Sequence, residues 1–117
     1  MSDFPTYCPR TSAKLWREMS EYLSRDSETS QWLSGLLTST TRSFIRDGIA
    51  DDHALVRNKA GWISEAGCNA TCDAGLIDVD GDIYIMSIMT SMPWSDRSSE
   101  LVTVIAKTFF DTRAALA

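Results

Sequence analysis

The sequence predicts an α+β fold in which helices pack on a three-stranded antiparallel sheet. Three features support this prediction: helical periodicity at the start, β-branched runs around an Asp-Gly pair in the middle, and helical periodicity again at the end. The 117 residues are 44% hydrophobic, enough for one compact core. We expect helices within 9–37, an irregular segment over 38–54, strands within 55–91 and a closing helix over 96–116.

The first two helices are predicted from apolar spacing and from their starts. Pro9 fits the first helical position, where its missing N–H costs nothing. Ser27 or Thr29 can cap the second helix. Intervals of three and four then predict the buried faces, which are Leu15, Trp16, Met19, Tyr22 and Leu23 in the first helix and Trp32, Leu33, Leu36 and Leu37 in the second.

The sheet is predicted from three runs, 55–63, 74–79 and 82–90. Asp80-Gly81 joins the last two runs, and such a pair between β-branched residues is typical of a type I′ hairpin. The third run is apolar at alternate positions on both sides, so we expect both of its faces to be covered.

The closing helix is predicted from a cap and a spacing pattern. Ser95 and the residues after it offer N-caps and early acidic side chains. The helical spacing that follows includes Leu101, Val104, Ile105, Thr108, Phe109 and Leu116. We expect this helix to bury Val104, Ile105 and Phe109.

Charge and hydropathy exclude several classes of partner. Lys and Arg number 11 against 16 Asp and Glu, the net charge is −5, and no basic run is present. Nucleic acid and anionic membrane surfaces are therefore poor partners. The apolar stretches are too short and interrupted for a membrane span. Residues 1–7 have neither the charged nor the apolar region of a signal peptide.

Cys68 and Cys72 lie four residues apart in a polar segment that is predicted to be a loop. They can form a short loop disulfide in an oxidising compartment, or remain two reduced thiols. Zinc is a weaker interpretation, because Cys8 and His53 lie far away in sequence and no second cysteine pair exists. We expect no metal and no cofactor.

Other conspicuous residues have ordinary structural interpretations. His53 lies between polar residues and is expected to be an exposed loop residue rather than a catalytic base. The acidic residues around the hairpin, Asp78, Asp80 and Asp82, lack the later glutamate of a calcium loop. Trp16, Trp32 and Trp62 are expected in the core, although Trp62 can instead line a cleft beside Gly61.

Five segments follow one another in a characteristic order, namely Lys59-Ala60-Gly61-Trp62, Asp73-Ala-Gly-Leu-Ile, the hairpin, Tyr84-Ile-Met-Ser-Ile-Met-Thr-Ser and the final helix. Together they resemble the C-terminal part of a class A serine β-lactamase-like, penicillin-recognising domain. Upstream, Cys8-Pro-Arg-Thr-Ser-Ala-Lys-Leu-Trp and Ile45-Arg-Asp-Gly-Ile also resemble segments of the family. The resemblance implies that residues 1–117 are a single partial domain of a β-lactamase/transpeptidase-like fold.

The family's signatures are Ser-x-x-Lys, Ser-Asp-Asn and Lys-Thr-Gly. The chain has no Ser-x-x-Lys and no Ser-Asp-Asn, so it lacks the catalytic nucleophile. It carries the third signature as Lys59-Ala60-Gly61. The resemblance therefore assigns no catalytic residue to this chain.

By resemblance, the substrate-binding residues are Lys59, Ala60, Gly61, Trp62 and Arg97. Lys59 supplies positive charge for a substrate carboxylate, Gly61 lets the substrate approach the strand, and the N–H of Trp62 matches one oxyanion donor. Ala60 departs from the family pattern, because it lacks the hydroxyl that Thr or Ser gives to the carboxylate. Arg97 can supply a guanidinium from the last helix, or can be an ordinary solvated arginine.

The resemblance also implies partners and location. The complete domain is expected to bind a β-lactam or a peptidoglycan-like small molecule, and its parent is expected to be exported or associated with the cell envelope. The alternative is a non-catalytic ligand-binding or interaction module that retains the same fold. The strand over 82–90 would have an unpaired edge. We therefore expect the chain to form a homodimer through this strand.

Overall fold

The computed structural model describes residues 7–116 and confirms the predicted α+β class. The elements are α1 (Pro9–Leu23), α2 (Glu28–Thr38), α3 (Phe44–Gly48), β1 (Ala54–Glu65), β2 (Cys68–Val79), β3 (Asp82–Thr90), α4 (Asp96–Asp111) and a final 3-10 helix (Arg113–Leu116). The predicted closing helix is therefore divided, since α4 ends at Asp111.

Helix starts follow the predicted local chemistry. Pro9 occupies the first turn of α1. The hydroxyl of Ser27 accepts a hydrogen bond from the Ser30 N–H at the start of α2. At α4, Ser95 and Ser98 form a reciprocal capping box, in which each side chain accepts from the other's backbone N–H.

The sheet is antiparallel in the order β1-β2-β3, with β2 in the middle. The turn between β2 and β3 has positive φ at both Asp80 (53°) and Gly81 (97°), as a type I′ turn requires. The Gly81 N–H also donates to the Asp78 carboxylate at 2.8 Å. The predicted hairpin is confirmed.

Of the two alternatives for Cys68 and Cys72, the disulfide does not fit the strand geometry. Strand β2 begins at Cys68, six residues earlier than the sequence predicted, so both cysteines lie on one extended strand. Four residues of strand separate their Cα atoms by about 13 Å at the usual rise per residue. A disulfide needs Cα atoms roughly 4.4–6.8 Å apart, so these two residues cannot bond to each other here.

Each face of the sheet is covered by two helices. On one face, Trp16 of α1 and Leu37 of α2 pack against Ala74 and Leu76 of β2. The other face carries the larger core, which α3 and α4 complete. That core contains Phe44, Ile45, Val56, Ala60, Ile77, Ile88, Val102, Ala106 and Phe110. The sheet is thus the middle layer of three.

The buried face of α4 differs from the predicted one. Its buried residues are Ser98, Val102, Ala106 and Phe110, whereas Val104 and Phe109 are more than half exposed. The cause is close packing on α3: a Cβ on Gly48 would lie 2.5 Å from the Thr103 carbonyl oxygen. A small side chain is needed at that contact, and Ala106 provides it, while Val102 and Phe110 fill the core.

Three of the predicted core positions on α1 and α2 are also exposed. Trp16 is buried as predicted, but Trp32 is 65% exposed, Leu15 is 55% exposed and Leu36 is 48% exposed. The residues of these helices that pack against the sheet are instead Trp16, Met19, Leu23, Leu33 and Leu37. The core interpretation of Trp32 was therefore wrong.

Two expectations concern the environment of the chain. No helix within residues 7–116 is long and apolar enough to cross a membrane. The signal-peptide expectation for residues 1–7 falls, apart from Tyr7, outside the described residues.

Candidate ligand-binding site

Two cavities meet at the middle of β1. The larger, about 430 Å³, lies between α1 and the sheet and is lined mainly by apolar side chains, including Leu15, Trp16 and Met19. The smaller, about 210 Å³, lies between β1 and the segment before α3. Lys59 and Ala60 line both cavities, so this part of β1 is the wall that they share.

Because side chains alternate between the two faces of β1, neighbouring residues of the strand point in opposite directions. Lys59 pairs with Ala74 on the face that α1 and α2 cover, and it is exposed. Its ammonium donates to the carbonyl of Ala60. Ala60 points to the opposite face and is only 4% exposed. A Cβ on Gly61 would meet nothing within 4 Å, so the strand is open at that position.

An aromatic and cationic cluster borders the smaller cavity. Trp62 stacks on Trp94 with ring centroids 4.5 Å apart, and Trp94 in turn contacts Phe44 at 5.7 Å. The Arg42 guanidinium lies 5.9 Å from the Trp62 ring centroid and 5.2 Å from that of Trp94. These distances are within the range of cation–π attraction. Trp62 is 43% exposed, so it lines the cavity rather than the core.

A buried hydrogen-bond network lies beneath this cluster. The Asn58 amide donates to the Asp73 carboxylate at 2.9 Å and to the Arg42 carbonyl at 3.2 Å. Its own oxygen accepts from the Thr40 hydroxyl at 2.5 Å and from the Arg46 guanidinium at 3.3 Å. Asn58 thereby joins the segment before α3 to the sheet, and it fixes the backbone that carries Arg42.

Asp73 is the buried end of that network. Its carboxylate accepts hydrogen bonds from the Asn58 side chain and from the Ile45 N–H, the latter at 3.0 Å. Burial raises the pKa of Asp73, and the hydrogen bonds from Asn58 and Ile45 oppose that rise only in part. The carboxyl is 1% exposed, so its role in this structure is to hold α3 against β2.

Arg97 is not brought to Lys59. It lies at the start of α4 and lines a different cavity with Met92, Glu100, Leu101 and Val104. It lines neither of the cavities at β1. The structure therefore groups Lys59, Ala60, Gly61 and Trp62 around the cavities at β1 and places Arg97 at a different cavity.

Arg42, Asn58 and Asp73 were not predicted from the sequence as functional residues. Asp73 had no clear signal, because its neighbours at alternate positions of β2 are Thr71 and Gly75. Asn58 had one, because it is a polar residue at an inward position of β1 between the apolar Val56 and Ala60. A polar residue at such a position indicates a buried hydrogen-bond network. Arg42 had no comparable signal, since it lies in a segment without periodicity.

The remaining candidates lie elsewhere. His53 contacts Asp80 at 3.2 Å, and both side chains are 71% exposed, in agreement with the loop interpretation. No serine hydroxyl within residues 7–116 is hydrogen-bonded to a lysine, the pairing that would activate a nucleophile. The side chains that the structure places at β1 are two cations, Lys59 and Arg42, and the aromatic surface of Trp62.

The comparisons with known proteins agree with this architecture. A family model described as the beta-lactamase enzyme family matches residues 2–112. No curated protein sequence matches the chain. Solved structures do: PBP-A at 22% identity with a TM-score of 0.73, and a beta-lactamase from Chitinophaga pinensis DSM 2588 at 23% with 0.69.

A variant of PBP-A, described as an acyl-enzyme complex with penicillin-G, also matches, at 22% identity and a TM-score of 0.70. These alignments cover 91–92% of this chain but only 40–41% of the chains of known structure. At such identities the similarity shows the fold alone, and the chain spans about two fifths of the proteins it matches.

Proposed function

Because the chain belongs to the beta-lactamase enzyme family, we propose that it is the C-terminal, substrate-binding part of a penicillin-recognising domain and does not hydrolyse β-lactams by itself. The observation that carries this proposal is the position of Lys59, Ala60 and Gly61 on a strand that borders two cavities. In the complete domain the ligand is a β-lactam or a peptidoglycan-like small molecule, and its carboxylate binds near Lys59.

The absence of turnover follows from the residues. The sequence has no Ser-x-x-Lys and no Ser-Asp-Asn, so neither the nucleophile nor its partners are supplied by this chain. Ala60 also removes a hydroxyl donor to the ligand carboxylate. One hydrogen bond to a charged group is worth about 1.5–3 kcal/mol, so recognition differs from the family pattern even where a nucleophile is supplied.

Hydrolysis and binding are tested separately. The purified chain should not hydrolyse a chromogenic cephalosporin above the rate in buffer. Hydrolysis that follows the chain through purification would contradict the proposal.

In a benzylpenicillin titration, Lys59→Ala should lower the affinity about tenfold or more, because one charge-assisted contact is lost. Arg97→Ala, in a separate cavity, is the matched control, and an equal loss would count against the Lys59 site.

A second candidate function is a non-catalytic binding module. Ala60 favours it, because a strand without the hydroxyl can serve a ligand other than a β-lactam. The sequence upstream of Met1 in the native gene distinguishes the two candidates. A Ser-x-x-Lys followed by Ser-Asp-Asn there supports the enzyme domain, and their absence supports the module.

We also propose that the chain associates with a second copy of itself through β3. Strand β3 forms one edge of the sheet, and Ile83 and Ile85 on it are 48% and 38% exposed. From Ile83 to Thr90 it contains no charge and no proline, the features that usually protect an edge from pairing. The parent protein is proposed to be exported or associated with the cell envelope, as the family resemblance implies.

A further inference from the structure

We propose that Arg42 is a specificity-determining residue that, with Lys59, binds the carboxylate of a small ligand whose flat, apolar part packs on Trp62. This inference deepens the proposed function and rests on it. It assigns the second cation of the site to the segment before α3. Neither the Ala60 position nor Arg97 supplies that contact.

The first argument is electrostatic. The chain has a net charge of −5, yet the smaller cavity contains two cations and no carboxylate. Its lining consists of Thr40, Thr41, Arg42, Lys59, Ala60 and Trp62. Among residues 7–116 the ion pairs are His53–Asp80, Lys107–Asp111 and Arg113–Asp51, and neither Arg42 nor Lys59 takes part in one. Two uncompensated cations beside one cavity favour an anionic ligand.

The second argument is positional. The Arg42 carbonyl accepts from Asn58, and the Thr40 carbonyl accepts from the Arg46 guanidinium at 3.0 Å. Asn58 is in turn fixed by Asp73. The backbone on both sides of Thr41 is thus hydrogen-bonded, to the half-buried Arg46 on one side and to the buried Asn58 on the other. Arg42 is exposed but is carried by a fixed backbone, and its guanidinium is oriented over Trp62 and Trp94.

The third argument is chemical. A guanidinium presents N–H donors in a planar fork that matches a carboxylate, and it can bind through two parallel hydrogen bonds. It can therefore replace the donor that Ala60 lacks. The exposed part of Trp62 provides an apolar surface beside it, and a cavity of about 210 Å³ admits only a compact group. The ligand class is a small carboxylate attached to a ring.

The experiment uses phenylacetate as the probe and the neutral phenylacetamide as its matched comparison. Binding to the ¹⁵N-labelled full chain is followed through the tryptophan indole N–H signals. Arg42→Met and Lys59→Met should each weaken phenylacetate binding about tenfold or more, the loss of one charge-assisted contact. Phenylacetamide should bind more weakly than phenylacetate by a similar factor. Arg97→Met controls for the change in net charge and should alter affinity by about twofold or less.

The outcomes separate this inference from the proposed function. If Lys59→Met weakens binding but Arg42→Met does not, the inference is overturned and the role of Lys59 stands. If neither variant weakens binding, both are overturned. If the unaltered chain does not bind phenylacetate saturably, the inference fails, because Arg42, Lys59 and Trp62 are all in this chain. The benzylpenicillin titration then tests the proposed function separately. Unchanged thermal unfolding of Arg42→Met establishes that any loss is local.

Discussion

Asp73 is a carboxyl group whose ionisation opposes folding. Burial raises the pKa of Asp73 above its ordinary value of 3.8, so the folded chain binds this proton more tightly than the unfolded chain does. The stabilisation from this proton binding is fully present when the pH is below the ordinary pKa of 3.8. It is lost as the pH rises through the higher folded-state pKa. Asp73→Asn is neutral at every pH. Its free energy of unfolding, relative to the native chain, should therefore increase as the pH is raised.

Urea unfolding between about pH 3 and about pH 7 measures this difference. Asp82→Asn, at the exposed start of β3, controls for the loss of one negative charge. A difference between Asp73→Asn and the native chain that stays constant across the range would contradict the prediction. It would mean that the hydrogen bonds from Asn58 and Ile45 fully offset the burial of the carboxylate.

The hairpin of β1 and β2 depends on one glycine at its centre. A Cβ on Gly75 would lie 2.1 Å from the Arg57 carbonyl oxygen and 2.9 Å from the Asn58 Cα, and both are backbone atoms that cannot turn away. Gly75→Ala should therefore destabilise the chain by about 3 kcal/mol or more, at the upper end of overpacking effects. Gly61→Ala has open space at its Cβ and is the matched control. Chemical denaturation measures both variants, and similar losses would show that strand propensity, not contact, determines the cost.

At the level of elements, the sequence predicted what depends on local chemistry. The Asp80-Gly81 turn and the start of α2 at Ser27 follow from the conformations and hydrogen bonds of a few adjacent residues. The buried face of α4 was not predictable in this way. It depends on how closely Gly48 lets α3 approach, and periodicity alone does not distinguish Ala106 from the larger residues beside it.

The same distinction applies to the candidate site. Lys59, Ala60, Gly61 and Trp62 were predicted together because they are consecutive residues of one strand. Arg42 reaches that strand only through contacts between distant segments, and Arg97 is separated from it for the same reason. Family resemblance located the strand; tertiary packing determined which cation lies beside it.

For the whole molecule, the testable property is assembly. If β3 pairs with a second copy, light scattering with size exclusion at micromolar concentration should give twice the monomer mass. Combined Ile83→Lys and Ile85→Lys substitution should give a monomer, because charged lysines on an edge strand oppose its pairing with another chain. Leu101→Lys on α4, where the leucine is 40% exposed, is the control and should remain dimeric. A folded monomer of the unaltered chain would contradict the homodimer.

The hydrogen bond from Ile45 to Asp73 has a consequence for how the molecule opens. Helix α3 has only five residues, and a helix of that length would ordinarily fray within a folded protein. The Ile45 N–H, however, donates a hydrogen bond to the Asp73 carboxylate on the central strand, and Ile45 is fully buried. That amide proton can reach solvent only when α3 leaves the sheet. We therefore expect the Ile45 amide to exchange with solvent far more slowly than the amides of the exposed segment before α3, a difference that hydrogen exchange measures.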